Sequence, residues 1–408
     1  MDKKLLQDYA RLLVLSGIRV EKGDEVWIQA QVDQPEFVKM CVEECYKAGA
    51  KKVVVRYFSE ELMKLNYKYM RLSDLSRLEG YELARYKYMA KKIPSMLHII
   101  SEDPDVFAGV NPTKIARSQM KIRSKTKPYR NAIDGKQKWC IGAVPSIKWA
   151  KKVFPSLSEQ EAVEKLWEAI LKTSRVDGNN PIENWNKHNE FLVNQRHKLQ
   201  NLHLKTLIYK SELGTDFKVE LIEGINWGGG IEKTASGHYY NPNIPSEEVF
   251  TSPKAGYAEG VVVASKPLSY NGELIEDFSL TFKNGKVVSC YAKKGQKVLE
   301  HMIKMDEGAS MLGEVALVPY DSPIRESGIL FYNTLFDENA ACHLALGIGF
   351  KECLPDGDKL TTEEARARGI NDSIIHVDFM IGTKELSIVG IDEEGKEHQI
   401  FLHGNWAI

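Results

Sequence analysis

Nowhere in the 408 residues do eighteen consecutive apolar residues occur, so the sequence offers no membrane-spanning helix. The opening MDKKLLQDYARLLVLSGI lacks an uninterrupted apolar core long enough for a secretory signal, and a cytoplasmic location is expected. Cysteine is sparse: six residues, widely dispersed and without a CxxC pair, which argues against both a zinc knuckle and a disulfide framework. Cys41 and Cys45 share one predicted helical face and are expected to be buried thiols. An excess of one charge is also missing. With 55 basic and 56 acidic residues the formal net charge is −1, which speaks against a general nucleic-acid or anionic-membrane binder. No GxGxxG follows a predicted strand, so no dinucleotide site is expected. The glycine run GINWGGG (224–230) lacks the Lys-Ser/Thr and helix of a phosphate cradle and reads as a tight loop.

What is present is ordinary for a globular protein, 43% hydrophobic and 27% charged, in a chain too long for one core. Two domains are expected, an open α/β domain over 1–203 and a mainly antiparallel β (α+β) domain over 204–408. In the first hundred residues helical spacing (4–17, 35–46, 59–70) alternates with the runs Glu25 to Gln29, KKVVVRYF and MLHIISE, the pattern of an open α/β sheet. The basic segment Lys114 to Lys138 has little aromatic interleaving and reads as a solvated helix face. Ser158-x-x-Glu161 opens a helix to 173 with a capping box. A further helix, 184–202, carries His188 and His197, and His203 follows it; all three are expected at the surface. After Leu204 the texture changes to strand-like runs separated by Gly, Asn and Asp, with Asn284-Gly285 the strongest hairpin signal. A helix over about 296–304 interrupts them.

The chemistry-bearing residues lie in this second half. NTLFDENAACHLALGIGF (333–350) places Asp337 and Glu338 before an Ala- and Leu-rich run, expected to be helical, that carries His343. An imidazole in so apolar a run has no solvated face to explain it. NPNIPSEEVFTSP (241–253) leads Glu247 and Glu248 into an extended segment, and Glu314 follows Gly313 at the start of a hydrophobic strand. SIIHVDFMIG sets His376 and Asp378 two apart in a β-branched run, so both point to one face while Val377 and Phe379 point to the other. Two imidazoles and three carboxylates in apolar surroundings are the ligand inventory of a two-metal hydrolytic site.

The stretches NPNIPSEEVFTSP, GEVALVP, FYNTLFDENAACHLALG and IHVDFMIG resemble, in order, the signature stretches of the aminopeptidase T/S family, the M29 metallopeptidases. A weaker likeness extends through the N-terminal half. The resemblance implies a two-domain cytoplasmic homodimer with two divalent metal ions (Zn²⁺, Co²⁺ or Mn²⁺) that removes N-terminal amino acids from peptides with a free N-terminus. It implies that Glu248, Glu314 and His343 hold one metal, that Glu314, His376 and Asp378 hold the other, and that Glu314 bridges them. For Glu338 it leaves three roles: an extra ligand, a general base, or an acid favouring a helix start. One departure stands out. The family carries a tyrosine seven residues after the histidine of the apolar run, and this chain has Phe350 there. On a continuing helix that spacing, nearly two turns, would return position 350 to the His343 face. Phenylalanine cannot coordinate, donate a proton or bind an oxyanion; Tyr320 and Tyr332 are the nearby phenols. The residues admit three functions: a two-metal aminopeptidase, a metal-binding relative with weak or no peptidase activity, and a different metal-assisted hydrolase.

Overall fold

The alternating helices and β-branched runs of the first half build a four-stranded parallel sheet in the order Lys52–Phe58, Glu25–Gln31, Ser95–Ile100, Trp139–Ala143. Its central strands are buried at most of their residues, as expected where helices cover a parallel sheet on both faces. Ser158 caps the helix Glu159–Thr173 through the capping box with Glu161. The basic segment forms the helix Pro112–Ile133, most of whose lysines and arginines are exposed. Cys41 and Cys45 are buried, and all six cysteines are free.

This computed structural model describes residues 1–270 and 272–408. The chain divides into one unit of residues 1–187 and 231–245 and another of residues 188–230 and 246–408. A single cut at 203 does not describe this division. The excursion 231–245 belongs to the first unit, where the Asn241 amide donates to the Ser16 carbonyl at 2.7 Å and the Ile141 N–H donates to the Pro242 carbonyl at 2.7 Å. His188, expected at the surface, is buried, with Nε2 2.7 Å from the Ser246 carbonyl. The reason is its place on the buried stripe Trp185, His188, Leu192, Gln195, Leu199 of the helix Pro181–Asn201. His197 and His203 are exposed.

The second unit holds a nine-stranded antiparallel sheet and a separate four-stranded antiparallel sheet. In the larger sheet, Asn284 (φ 51°) and Gly285 (φ 74°) join Glu273–Lys283 to Lys286–Lys294 with both turn residues left-handed, as a type I′ hairpin requires. The smaller sheet runs in the order His376–Met380, His343–Gly347, Leu312–Leu317, Val249–Thr251. Helix, expected around His343, is therefore corrected. Helical turns stop at Ala340, and HLALG is a strand buried at every residue. Ala and Leu favour helix locally, but strand pairing on both sides and burial of both faces outweigh that preference. The rear of this sheet (Val315, Leu317, Leu344, Leu346, Val377, Phe379) joins the apolar core with Phe278, Phe282 and Leu207.

Candidate metal centre

The front of the four-stranded sheet is a consequence of register. In antiparallel pairs directly opposed residues share a face, as do residues two apart along a strand. Asp378 opposes Ala345, which opposes Glu314; Met380 opposes His343, which opposes Ala316. One face thus carries His376, Asp378, His343 and Glu314, with the small side chains of Ala345 and Ala316 leaving room between them. Glu248 joins from the residue before Val249–Thr251, and the glycine loop holds that segment closely. A Cβ on Gly229 (φ 118°) would lie 2.3 Å from the Glu248 carbonyl oxygen, so this tight-loop position demands glycine.

The ligand atoms of Glu248, Glu314 and His343 lie within 4.8 Å of one another, and so do those of Glu314, His376 and Asp378. Glu314 is common to both groups. His343 holds Nδ1 3.1 Å from the Ala341 carbonyl and turns Nε2 to Glu248 Oε2 at 3.4 Å. His376 holds Nδ1 2.7 Å from the Ile348 carbonyl and turns Nε2 to Glu314 at 3.1 Å and Asp378 at 3.3 Å. A carbonyl accepting from Nδ1–H leaves each Nε2 lone pair aimed into the cluster, the tautomer a metal ligand needs. Glu248 Oε2 and Asp378 Oδ1 are buried oxygens without a hydrogen bond.

Electrostatics point the same way. Burial, followed by the neighbouring Asp378 and Glu248, pushes Glu338 well up despite the opposing His343. Burial raises Glu314 to about 7 against the His376 hydrogen bond. For His343, burial would lower the pKa, but the neighbouring Glu248 carboxylate and the charges around it raise it to about 10. His376 goes to about 11 in the same way, with burial outweighed by Asp378 and Glu314. Glu314, Glu338 and the two imidazoles therefore hold protons avidly, whereas Asp378, despite its burial, is held low by the neighbouring His376; divalent cations would take the place of those protons. The donor set, its tautomers and its unsatisfied oxygens fit a metal pair.

Glu338 lies in the turn Glu338–Ala340, outside both three-ligand groups, and with Asp378 it lines a cleft beside the cluster. Phe350 lies past the strand, beyond Gly347, whose φ of 110° and whose missing Cβ, otherwise 2.0 Å from the Ile375 carbonyl, permit the turn. Its ring reaches the site by folding back, not along a helix: it packs 5.0 Å from the His376 ring and 5.2 Å from Phe250. Tyr332 lines the cleft with Glu338, whereas Tyr320 stacks on Arg325.

Two supporting asparagines were not singled out from sequence. Asn339, buried, accepts the Glu247 N–H at 2.7 Å and so fixes the strand entry beside Glu248. Asn371 donates to the carbonyls of Gly347 (2.6 Å) and Gly308 (2.8 Å). A lone amide carries no periodic signal; only Asn339's place within the FDENA stretch could have drawn attention to it.

The family model described as "Thermophilic metalloprotease (M29)" matches residues 2–406. Aminopeptidase AmpS of Bacillus subtilis is 41% identical over 98% of both chains. Aminopeptidase T of Thermus thermophilus is 38% identical over 100% of this chain and 99% of its own. The solved structure of wild-type AmpT from Thermus thermophilus superposes with a TM-score of 0.90 at 37% identity, covering 100% of each chain. The architecture also occurs in a 2,5-dihydroxypyridine dioxygenase from Pseudomonas putida KT2440 (TM-score 0.53, 13% identity, 99% and 96% coverage), a likeness of fold alone.

Proposed function

The chain belongs to the M29 metallopeptidase family, and on that premise we propose that it is a metal-dependent aminopeptidase using two divalent cations to remove N-terminal residues from peptides. The observation that carries this reading is the pair of three-ligand groups sharing Glu314. Glu248, Glu314 and His343 would hold one ion, and Glu314, His376 and Asp378 the other. When bound, such a pair supplies Lewis acidity and a nucleophilic water at neutral pH.

The protein groups do the rest. The two carbonyls on Nδ1 hold both imidazoles in their ligating tautomer. With cations in place of the protons the cluster otherwise holds, Glu338, beside the cluster and on the cleft wall, would accept a proton on its carboxylate from the attacking water and return it to the departing amine. The negative edge formed by Glu338 and Asp378 favours a free α-amine over an acylated one, which accounts for exopeptidase selectivity. A second reading, a metal-binding relative with weak peptidase activity, draws support from Phe350, whose ring offers no donor beside His376.

Exhaustive chelation is expected to abolish hydrolysis of a leucyl anilide, and readdition of Zn²⁺, Co²⁺ or Mn²⁺ to restore it, with about two ions per chain when full. An N-acetylated leucyl anilide serves as control. Hydrolysis in a verified metal-free sample, or equal hydrolysis of the acetylated control, overturns the proposal.

A further inference from the structure

We propose that Asn339 is a positioning residue that serves two groups at once: one end of its amide aims the Glu338 carboxylate, and the other fixes the strand entry that delivers Glu248. The Glu338 half rests on the aminopeptidase reading; the Glu248 half rests on the metal centre alone.

Asn339 is fully buried, at 0% exposure, and both polar atoms of its side chain are engaged. Oδ1 accepts the N–H of Glu247 at 2.7 Å, a partner 92 positions away in sequence. Nδ2 donates to the Leu335 carbonyl at 3.0 Å and to Glu338 Oε1 at 3.3 Å. These partners admit one orientation of the amide, because an N–H must meet its oxygen while a carbonyl and a carboxylate must meet its nitrogen. The backbone is held too: the hydroxyl of buried Ser322 donates to the Asn339 carbonyl at 3.0 Å.

Glu338 has need of such a hold. It sits in the single turn Glu338–Ala340, where no strand pairing dictates its direction, unlike Glu314, His343, His376 and Asp378 on the sheet. A long side chain left free samples several rotamers, and fixing one costs entropy unless a contact holds it. Proton transfer depends on that placement, since a misplacement of ~1 Å can cost about 10²-fold in rate.

Glu248 precedes the strand Val249–Thr251, so its direction is set by what grips the chain on either side. Two residues on, Phe250 exchanges backbone hydrogen bonds with Gly228, at 2.8 and 3.2 Å. One residue back, the Glu247 N–H goes to Asn339. Removing that acceptor from a residue only 4% exposed loosens the entry at the point where Glu248 turns into the cluster. One amide therefore links a group placed to move a proton with a group placed to hold an ion.

Substitution can separate the two ends. Asn339→Asp keeps an acceptor for the Glu247 N–H but turns a second acceptor on the Leu335 carbonyl and Glu338. Asn339→Ala removes both ends. In the full chain with zinc in excess, Asn339→Asp should keep the wild-type zinc content while kcat for a leucyl anilide falls about 10²-fold with KM nearly unchanged. Asn339→Ala should show the same fall and, in competition with a chelator, a zinc affinity ~10–100-fold weaker. Both variants are repeated in a Glu338→Gln background, where the carboxylate to be oriented is gone, and there kcat should change little further. Thermal melts confirm folding, and if Asn339→Asp fails to fold, Asn339→Ala carries both measurements. Equal falls with and without Glu338→Gln mark a merely structural amide and overturn the tie to Glu338. Unchanged zinc affinity in Asn339→Ala overturns the tie to Glu248. A loaded wild type that releases no anilide overturns the aminopeptidase reading, and the zinc titration then still decides the Glu248 half.

Discussion

The two ligand groups that share Glu314 differ most in their access to solvent. In the first, Glu248, Glu314 and His343 are all buried, and the His343 side chain is 1% exposed. In the second, the His376 side chain is 24% exposed and Asp378 borders the cleft. Both groups rise from the same sheet face, so the difference comes from what covers them. His343 lies on an inner strand, flanked by pairing partners on both sides. His376 and Asp378 lie on an edge strand, with a pairing partner on one side only. On the proposed function, an enzyme that must both retain its ions and admit a peptide would be served by this asymmetry: the inner group would hold, and the outer group would face the substrate.

Breaking the shared element should have the largest effect. Glu314→Gln keeps the shape but removes the charge common to both groups. We expect loss of both ions by elemental analysis and a fall in activity of about 10³-fold, corresponding to several kcal/mol of Lewis-acid stabilisation. Full occupancy in the Gln variant would argue against a shared ligand.

The asymmetry itself is sharpened by a pair of variants. His376→Ala should lose about one ion while the inner group stays loaded. His343→Ala, at the buried group, should also lose about one ion, and the ion left in the outer group should leave faster under chelation. Chelator-release kinetics in the two variants would show the contrast, and identical release would remove it. Each change should lower metal affinity by at least the ~10–100-fold typical of groups that merely support a ligand.

How far this site could be read from the residues alone depended on the kind of signal each element carries. His376 and Asp378 were legible because a period of two puts both on one face, and the structure shows that face. The capping box at Ser158 and the Asn284-Gly285 turn were legible because they are local chemistry. The strand around His343 was not: buried on both faces, it shows no alternation, and Ala and Leu imitate a helix. The expected helical route from His343 to Phe350 failed for the same reason, although Phe350 does reach His376 through the Gly347 turn. His188 reads as a surface residue because its helix is polar overall, and the narrow stripe that buries it is visible only once packing is known. The division of the chain was obscured because residues 231–245 return to the first unit through backbone pairing at Ile141, which leaves no mark in composition.

The smallest expected effect tests the outer group alone. Phe350 packs on His376, the more exposed imidazole, and lies on the outer side of the asymmetry. Phe350→Tyr adds one hydroxyl to a half-buried ring whose edge-to-face contact with Phe250 can persist with little change in volume. Nothing in the inner group is touched, so metal stoichiometry should stay constant. A phenol beside the substrate-facing ligands adds a donor for the developing oxyanion, and a single such donor is worth up to ~10²–10³-fold when well placed. Because the ring is held by His376 and Phe250 and not by contacts evolved for a hydroxyl, a gain of about tenfold in kcat with KM nearly constant is expected for a short peptide. Steady-state kinetics on matched, metal-replete samples would measure it. A gain at unchanged metal content would show that the wild-type centre is intact but lacks one group. An unchanged rate in an already fast enzyme would direct attention to Tyr332, which lines the cleft with Glu338 and Asp378, as the phenol serving in its place. An unchanged rate in an inactive wild type would favour the metal-binding relative over the peptidase.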